Sequence, residues 1–121
     1  MIQIISGFPE DVVACSAQGR VTKDDYERVL IPAIEAKLRD HAKIKCYYEL
    51  GAAFSSFDFG AAWADAMIGL GHLTRWERIA LVSDVEWIRL ATNAFRFLMP
   101  GSVRVFSTSQ AAEAKAWLTG A

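Results

Sequence analysis

The chain contains few residues from which a catalytic centre could be assembled. It has two histidines, His41 and His72, and a nucleophile–base arrangement would need one of them as its base. No G-x-S-x-G turn supplies an activated serine. His41 falls at the end of a helical pattern, where an imidazole suits the helix dipole. His72 follows Asp65 by two helical turns and can share its face, but no third ligand completes a metal site. The glycines never fall as G-x-G-x-x-G after a strand, and no phosphate loop is present. Asp84 and Glu86 stand where acids stabilise a helix N-terminus. Cys15 and Cys46 lie inside apolar runs without C-x-x-C spacing and read as buried free thiols. These residues point to no catalysis, no cofactor and no metal.

Two groups of residues could do something other than catalysis. Ser55 and Ser56 follow an alternating strand and read as lying in a loop just before a helix. There they are either turn and capping residues or sites of phosphorylation, since free N–H groups at a helix start favour added negative charge. The second group is aromatic. Phe54, Phe57, Phe59, Trp63, Met67 and Leu70 crowd a window in which no Lys or Arg occurs between Lys45 and Arg75, and Trp76 follows directly after it. They either fill the core or line an apolar surface. Phe57, Phe59 and Trp63 cannot all point the same way as Met67 and Ile68 on one helix. Some must therefore face a pocket, a homodimer contact or a membrane.

Composition narrows the class. The chain has 121 residues, 13 Lys and Arg against 14 Asp and Glu, and a formal net charge of −1. No basic excess exists to neutralise a phosphate backbone, so nucleic acid is not an expected partner. With 53% hydrophobic and 22% charged residues, the chain can build an ordinary core without staples. No apolar run reaches the roughly 20 residues of a spanning helix, and the start, MIQIISGFPED, lacks the pattern of a signal peptide. The expectation is a single domain over 1–121, cytoplasmic, touching a membrane peripherally if at all.

The elements that must position these residues follow from periodicity. Ile2 to Ser6 and Val12 to Ala17 are short apolar runs around the turn Gly7-Phe8-Pro9-Glu10-Asp11, the second closed by Gly19, and read as a hairpin-like pair. Thr22 can cap a helix whose apolar face is Tyr26, Val29, Leu30, Ala33, Ile34 and Leu38. Pro32 falls inside it and predicts a kink or break. Lys43 to Leu50 alternates, with Ile44, Cys46, Tyr48 and Leu50 inward and Tyr47 on a face at least partly wet; Gly51 ends it. A helix over 59–73 has Asp65 as its one fully charged residue. Arg78 to Val82 is a buried strand. Ser83 or Asp84 then caps a helix with Trp87, Ala91, Ala94, Phe95 and Leu98 on one face, ended by Pro100-Gly101. Val103 to Phe106 is the last strand, and Ser109 caps a helix carrying Ala114, Trp117 and Leu118 inward. The order β, β, α, β, α, β, α, β, α implies an α/β domain: a mostly parallel five-stranded sheet, an antiparallel first strand at an edge, and four main helices.

An ordered set of short pieces now resembles a known family. The early Gly7-x-Pro9 turn, the helix with Pro32, Tyr48-Glu49-Leu50 and Trp63-x-Asp65 are similar to the SpoIIAA-like bacterial proteins. So are Arg78-Ile79-Ala80-Leu81-Val82, Trp87, Val103-Arg104-Val105-Phe106 and Ala116-Trp117-Leu118. The resemblance spans almost the whole chain. It implies the STAS-type fold, a right-handed β-α superhelix akin to anti-sigma-factor antagonists. Those antagonists carry an Asp-Ser-Ser-Gly tract whose phosphorylated serine precedes the glycine. The matching stretch here is Ser56-Phe57-Asp58-Phe59-Gly60, with Phe59 at the phosphoserine position. The SpoIIAA-like branch is similar to proteins proposed to bind apolar ligands or to associate with membranes through this helix.

The functional expectation is a non-enzymatic module that binds a small apolar molecule such as a lipid, or contacts a membrane, through residues 54–73. The alternative is a regulatory protein–protein module of antagonist type, with its phosphoserine switch moved to Ser55 or Ser56 or lost. A homodimer is compatible with either.

Overall fold

The computed structural model describes residues 1–57, 75–95 and 102–119. The expected helix over 59–73, with His72, lies outside them, as do Leu98 and Pro100-Gly101. Strands β1 (Ile2–Ile4), β2 (Val12–Val21), β3 (Ile44–Phe57), β4 (Trp76–Ser83) and β5 (Ser102–Phe106) form one sheet in sequential order. β1 pairs antiparallel with β2 at one edge, and the remaining neighbours are parallel. This is the sheet the alternation of elements implied.

Gly7 makes the β1–β2 turn at φ +92°, a conformation side-chain-bearing residues rarely adopt. Gly19 and Gly51, however, do not end their strands. Gly19 sits at a register shift with φ +59°, the bulge geometry glycine permits. β2 then continues to Val21. Its Gly19, Arg20 and Val21 pair with Phe54, Ser56 and Phe57 of β3, so each extension is sustained by the other. Periodicity within a single strand does not reveal such a partner.

Between β2 and β3 the chain is helical in three stretches: α1 (Lys23–Asp25), a π-helical turn (Tyr26–Leu30) and α2 (Ile31–Asp40). Thr22 caps the start. Its Oγ1 accepts from the Asp25 N–H at 3.2 Å, while Asp25 Oδ2 accepts the Thr22 N–H at 2.8 Å and its hydroxyl at 3.0 Å. The interruption expected at Pro32 takes the form of the π turn. Pro32 stands in the first turn of α2, where its missing N–H is harmless, and the Ile31 N–H bonds back to the Tyr26 carbonyl. Tyr26, Leu30 and Ile34 are buried, with Val29, Ala33 and Leu38 packed beside them, as their spacing predicted.

The helices cover two faces of the sheet. The first face holds Val13, Cys15, Cys46, Tyr48, Leu50, Leu81 and Val103 beneath Tyr26, Leu30, Ile34 and Ile88. Both cysteines are buried there and belong to no disulfide among the described residues. The second face holds Val12, Ala14, Tyr47, Ala80, Val82 and Phe106 beneath Ala114 and Leu118 of α4 (Ala111–Leu118). Tyr47 is only 1% exposed, so β3 has no wet face at that position. Ser107, rather than Ser109, caps the turn Thr108–Gln110 that leads into α4, in a reciprocal box with Gln110.

Helix α3 (Glu86–Phe95) departs from the expected orientation. Trp87 and Leu90 are 57% and 63% exposed, and Ile88 is buried. Among the described side chains of α3, Ile88, one residue beyond Trp87, is the one buried against the first face. The side chains of Ala91, Ala94 and Phe95 lie outside the described set. Ser83 Oγ accepts the Val85 N–H at 3.1 Å at the helix entrance, and Asp84 turns instead to Thr108, accepting its N–H at 3.1 Å and its hydroxyl.

Two outcomes follow. The Asp25 carboxyl is held below its usual range: burial raises its pKa, but the bonds from Thr22 and the Met1 ammonium 3.4 Å away outweigh it. A lowered folded-state pKa stabilises above the unfolded value and is lost as pH falls through the folded one. Asp25→Ala should cost about 1 kcal/mol at neutral pH, and the difference from the parent should shrink below about pH 4, read by urea unfolding. The second outcome concerns the buried hydroxyls of Tyr26 and Tyr48, 2.8 Å apart. Tyr26→Phe and Tyr48→Phe should each cost about 1 kcal/mol, and the double variant clearly less than the sum. An additive double variant would show that this bond contributes nothing.

Candidate functional site

The aromatic window leaves the sheet at one end and returns at the other. β4 is in register with Ile44 to Leu50 of β3. Beyond Leu50, β3 overhangs β4 and pairs with β2. Phe54 lies on this overhang, partly buried and packed against the first-face core. Ser55 and Ser56 lie beside it, both exposed. They occupy strand rather than a loop before a helix, because β2 continues alongside them and Ser56 is in register with Arg20. Phe57 belongs to the same strand, its side chain outside the described set. Phe59, Trp63, Met67 and Leu70 also lie outside it.

Trp76 begins β4, opposite Ile44. Phe54 is ten residues further along β3, roughly 30 Å at the usual strand rise. The structure therefore does not bring Trp76 and Phe54 together. Trp76 is 3% exposed and packs into the first-face core. Its Nε1 is buried with no hydrogen-bond partner among the described residues. Arg75 beside it fastens this end of the sheet to α2. Its Nε donates to the Ala42 carbonyl at 2.6 Å, and one Nη donates to those of Leu38 and His41 at 2.9 and 3.0 Å. Helix-terminal carbonyls favour a cation in this position. Glu35, Leu38, Arg39 and Arg75 line a shallow cleft of about 340 Å³ here. The His41 N–H closes the end of α2 on Lys37, in keeping with its expected place.

The second face carries polar and cationic features that single-residue reasoning did not isolate. Tyr47 donates its hydroxyl to Glu49 Oε1 at 2.8 Å, and its ring lies 5.0 Å from that of Phe8. Burial, then the neighbouring carboxylate, push the phenol pKa up, so Tyr47 serves as a donor and not as a base. Asp84 is fully exposed, and the two bonds from Thr108 hold its carboxyl below the usual range. Around Trp117, the Arg78 and Arg104 guanidiniums lie 5.4 and 5.5 Å from the indole. The signal for this cluster was present in the sequence. Arg78 alternates with Ala80 and Val82, and Arg104 with Phe106, which places all five on one face. Among the described residues, no group of three His, Cys, Asp or Glu could hold a metal, and no helix is long and apolar enough to cross a membrane.

Comparison with known proteins agrees with this geometry. Residues 12–119 match the family model described as SpoIIAA-like. None of the curated proteins matches the chain. Among solved structures, the chain is similar to an uncharacterized protein of the DUF3478 family from Shewanella loihica PV-4, whose crystal structure at 2.25 Å has a SpoIIAA-like fold. The two are 26% identical, with a TM-score of 0.75 over 97% of this chain and 93% of the other. The parallel sheet with its antiparallel edge strand and the family match over 12–119 lead to one conclusion: the chain belongs to the SpoIIAA-like family.

Proposed function

We propose that the protein is a non-enzymatic binding module that takes up a small apolar molecule through residues 54–73. The observation that carries this reading is the concentration of Phe54, Phe57, Phe59, Trp63, Met67 and Leu70 in a window without Lys or Arg. Apolar side chains in that number exceed what one helix face can bury, and Phe54, whose side chain is described, packs on a sheet face that is itself apolar. Phe54 stands at the border, packed on the core yet partly exposed. Trp76, set at the far end of β3, belongs to the supporting core in this reading and does not contact the ligand. Ligand pockets are predominantly apolar and use few polar groups, which suits a segment whose one full charge over 59–73 is Asp65.

A regulatory protein–protein role with a phosphoserine switch is supported less well. Ser55 and Ser56 are exposed and so open to a kinase, but they lie on extended backbone paired with β2 rather than at the first residues of a helix, where a phosphate is stabilised.

The test is direct. Protein purified under native conditions and analysed by mass spectrometry should release an apolar small molecule, and the stripped protein should bind a fluorescent fatty acid. Trp63→Ala with Met67→Ala should weaken that binding about tenfold, equivalent to roughly 1.4 kcal/mol. Should the same residues contact a membrane instead, flotation with liposomes would show binding with little preference for anionic over neutral lipid, since the segment carries no basic residue. A protein that purifies empty and ignores both fatty acids and liposomes rules the proposal out.

A further inference from the structure

The second face of the sheet ends at β5 in a cluster of cations held on aromatic rings. The Arg78 guanidinium lies 5.4 Å from the centre of the Trp117 indole, and that of Arg104 lies 5.5 Å from it and 5.1 Å from the Phe106 ring. Phe106 and Trp117 are themselves in contact, their ring centres 6.0 Å apart. On the same side, Lys115 Nζ lies 5.3 Å from the ring of Phe8. Two like charges gathered around one indole repel, and an ion pair with a carboxylate is the usual relief. Among the described residues, none of Arg78, Arg104 and Lys115 makes a salt bridge. Lys45, on the same sheet face, shows the contrast: it is within 4.0 Å of both Asp11 and Glu77.

Part of the cluster has a structural task. Arg78 donates to the Trp117 carbonyl and so closes the end of α4. Among the described residues, Arg104 makes no such bond. It is exposed, stands on an edge strand, and has its guanidinium within 5.5 Å of two ring centres. A guanidinium in this position has its conformational freedom reduced before it meets a partner, while its N–H edge can face outward.

We propose that this face is a docking surface for an acidic segment of a partner protein, whose carboxylates are received by Arg104 and Arg78 beside Trp117, with Lys115 at the margin. Charge complementarity argues for carboxylates: the planar fork of a guanidinium matches a carboxylate in two parallel bonds. It argues against a nucleic acid, because the chain as a whole is not basic, with a net charge of −1, and a long polyanion would meet its acidic surface as well. The Trp117 ring is also occupied by two guanidiniums and a tilted phenyl ring, which leaves little of it for a base to stack on. This site does not rest on the apolar-ligand reading. Phe54 packs on the first face of the sheet and α4 covers the second.

The experiment is a titration of the isotopically labelled full chain with a short Glu-rich peptide, followed by NMR through backbone, Arg side-chain and Trp indole signals. Shifts concentrated on Arg78, Arg104, Trp117 and Lys115, weakening as salt is raised, are expected. Arg104→Gln should weaken binding about tenfold, and Arg104→Lys should restore part of it. Arg20→Gln, on the distant β2, should leave it unchanged. Arg104 is exposed, so these variants fold, and the spectrum of each confirms it. Shifts spread evenly over all basic residues, indifference to Arg104→Gln, or stronger binding to anionic vesicles or an oligonucleotide than to the peptide would each overturn the proposal.

Discussion

Tyr47 and Tyr48 are adjacent in sequence and buried on opposite faces of β3, and the fold depends on how that strand is satisfied on both sides. A strand covered on both faces cannot leave a phenol to water, so each hydroxyl needs a partner inside the protein. Tyr48 finds it in Tyr26, which the π turn before Pro32 places over the first face. Tyr47 finds it in Glu49 on its own strand, under Phe8 and beside the α4 cluster. One bond joins a helix to the sheet; the other lets a large aromatic residue sit at the centre of the second face. The order of strands, with β3 in the middle, makes this double burial unavoidable.

The same burial explains what could be read from the sequence and what could not. The order of the described elements, the cap at Thr22, the inward face of Tyr26, Leu30 and Ile34, and the burial of the cysteines all depend on local pattern, and all were legible. Tyr47 was misplaced because alternation reports that two faces differ, not that the second one is covered by a helix more than sixty residues later. Gly19 and Gly51 looked like strand ends because glycine is a local stop signal. The continued strands are held by each other across the sheet, a long-range fact. Trp87 was grouped on the face with Ala91 and Ala94 because α3 is apolar at many positions, and the residue buried among its described side chains, Ile88, is selected by where β4 and β5 lie. Of the candidate site, only the aromatic window and its lack of basic residues were visible. That its two described flanks, Phe54 and Trp76, stand at opposite ends of β3 required the register of the strands.

That separation changes the shape of the functional argument. If Phe54 and Trp76 had been neighbours, one compact pocket could have used both. Placed roughly a strand's length apart, they mark the limits of the segment that joins them. Trp76 is anchored where Arg75 fastens α2 to the sheet, so one limit is rigid. Phe54 sits on the overhang of β3, where β4 no longer pairs, so the other has fewer neighbours. Under the apolar-ligand proposal, contacts with the ligand would belong toward the Phe54 side, while the Trp76 side supports the fold.

The two faces of the sheet also assign different chemistry to different surfaces. The first face is apolar from β1 to β5, and the residues flanking the aromatic window pack on it. The second face is apolar only at its centre and becomes cationic toward β5, where Arg78 and Arg104 gather on Trp117 and Phe106. An antagonist-type switch concentrates regulation in one serine at a helix start. The resemblance puts Phe59 in the place of that serine, and Ser55 and Ser56 lie on strand. Any dependence on a protein partner would then have to come from a surface whose charge is permanent, since guanidiniums do not titrate in the physiological range. Such a surface responds to the presence of a partner and to ionic strength, not to phosphorylation of this chain. An apolar molecule held on one face and an acidic partner on the other would be separated by the sheet itself, whose strands β2 to β5 each send residues to both faces.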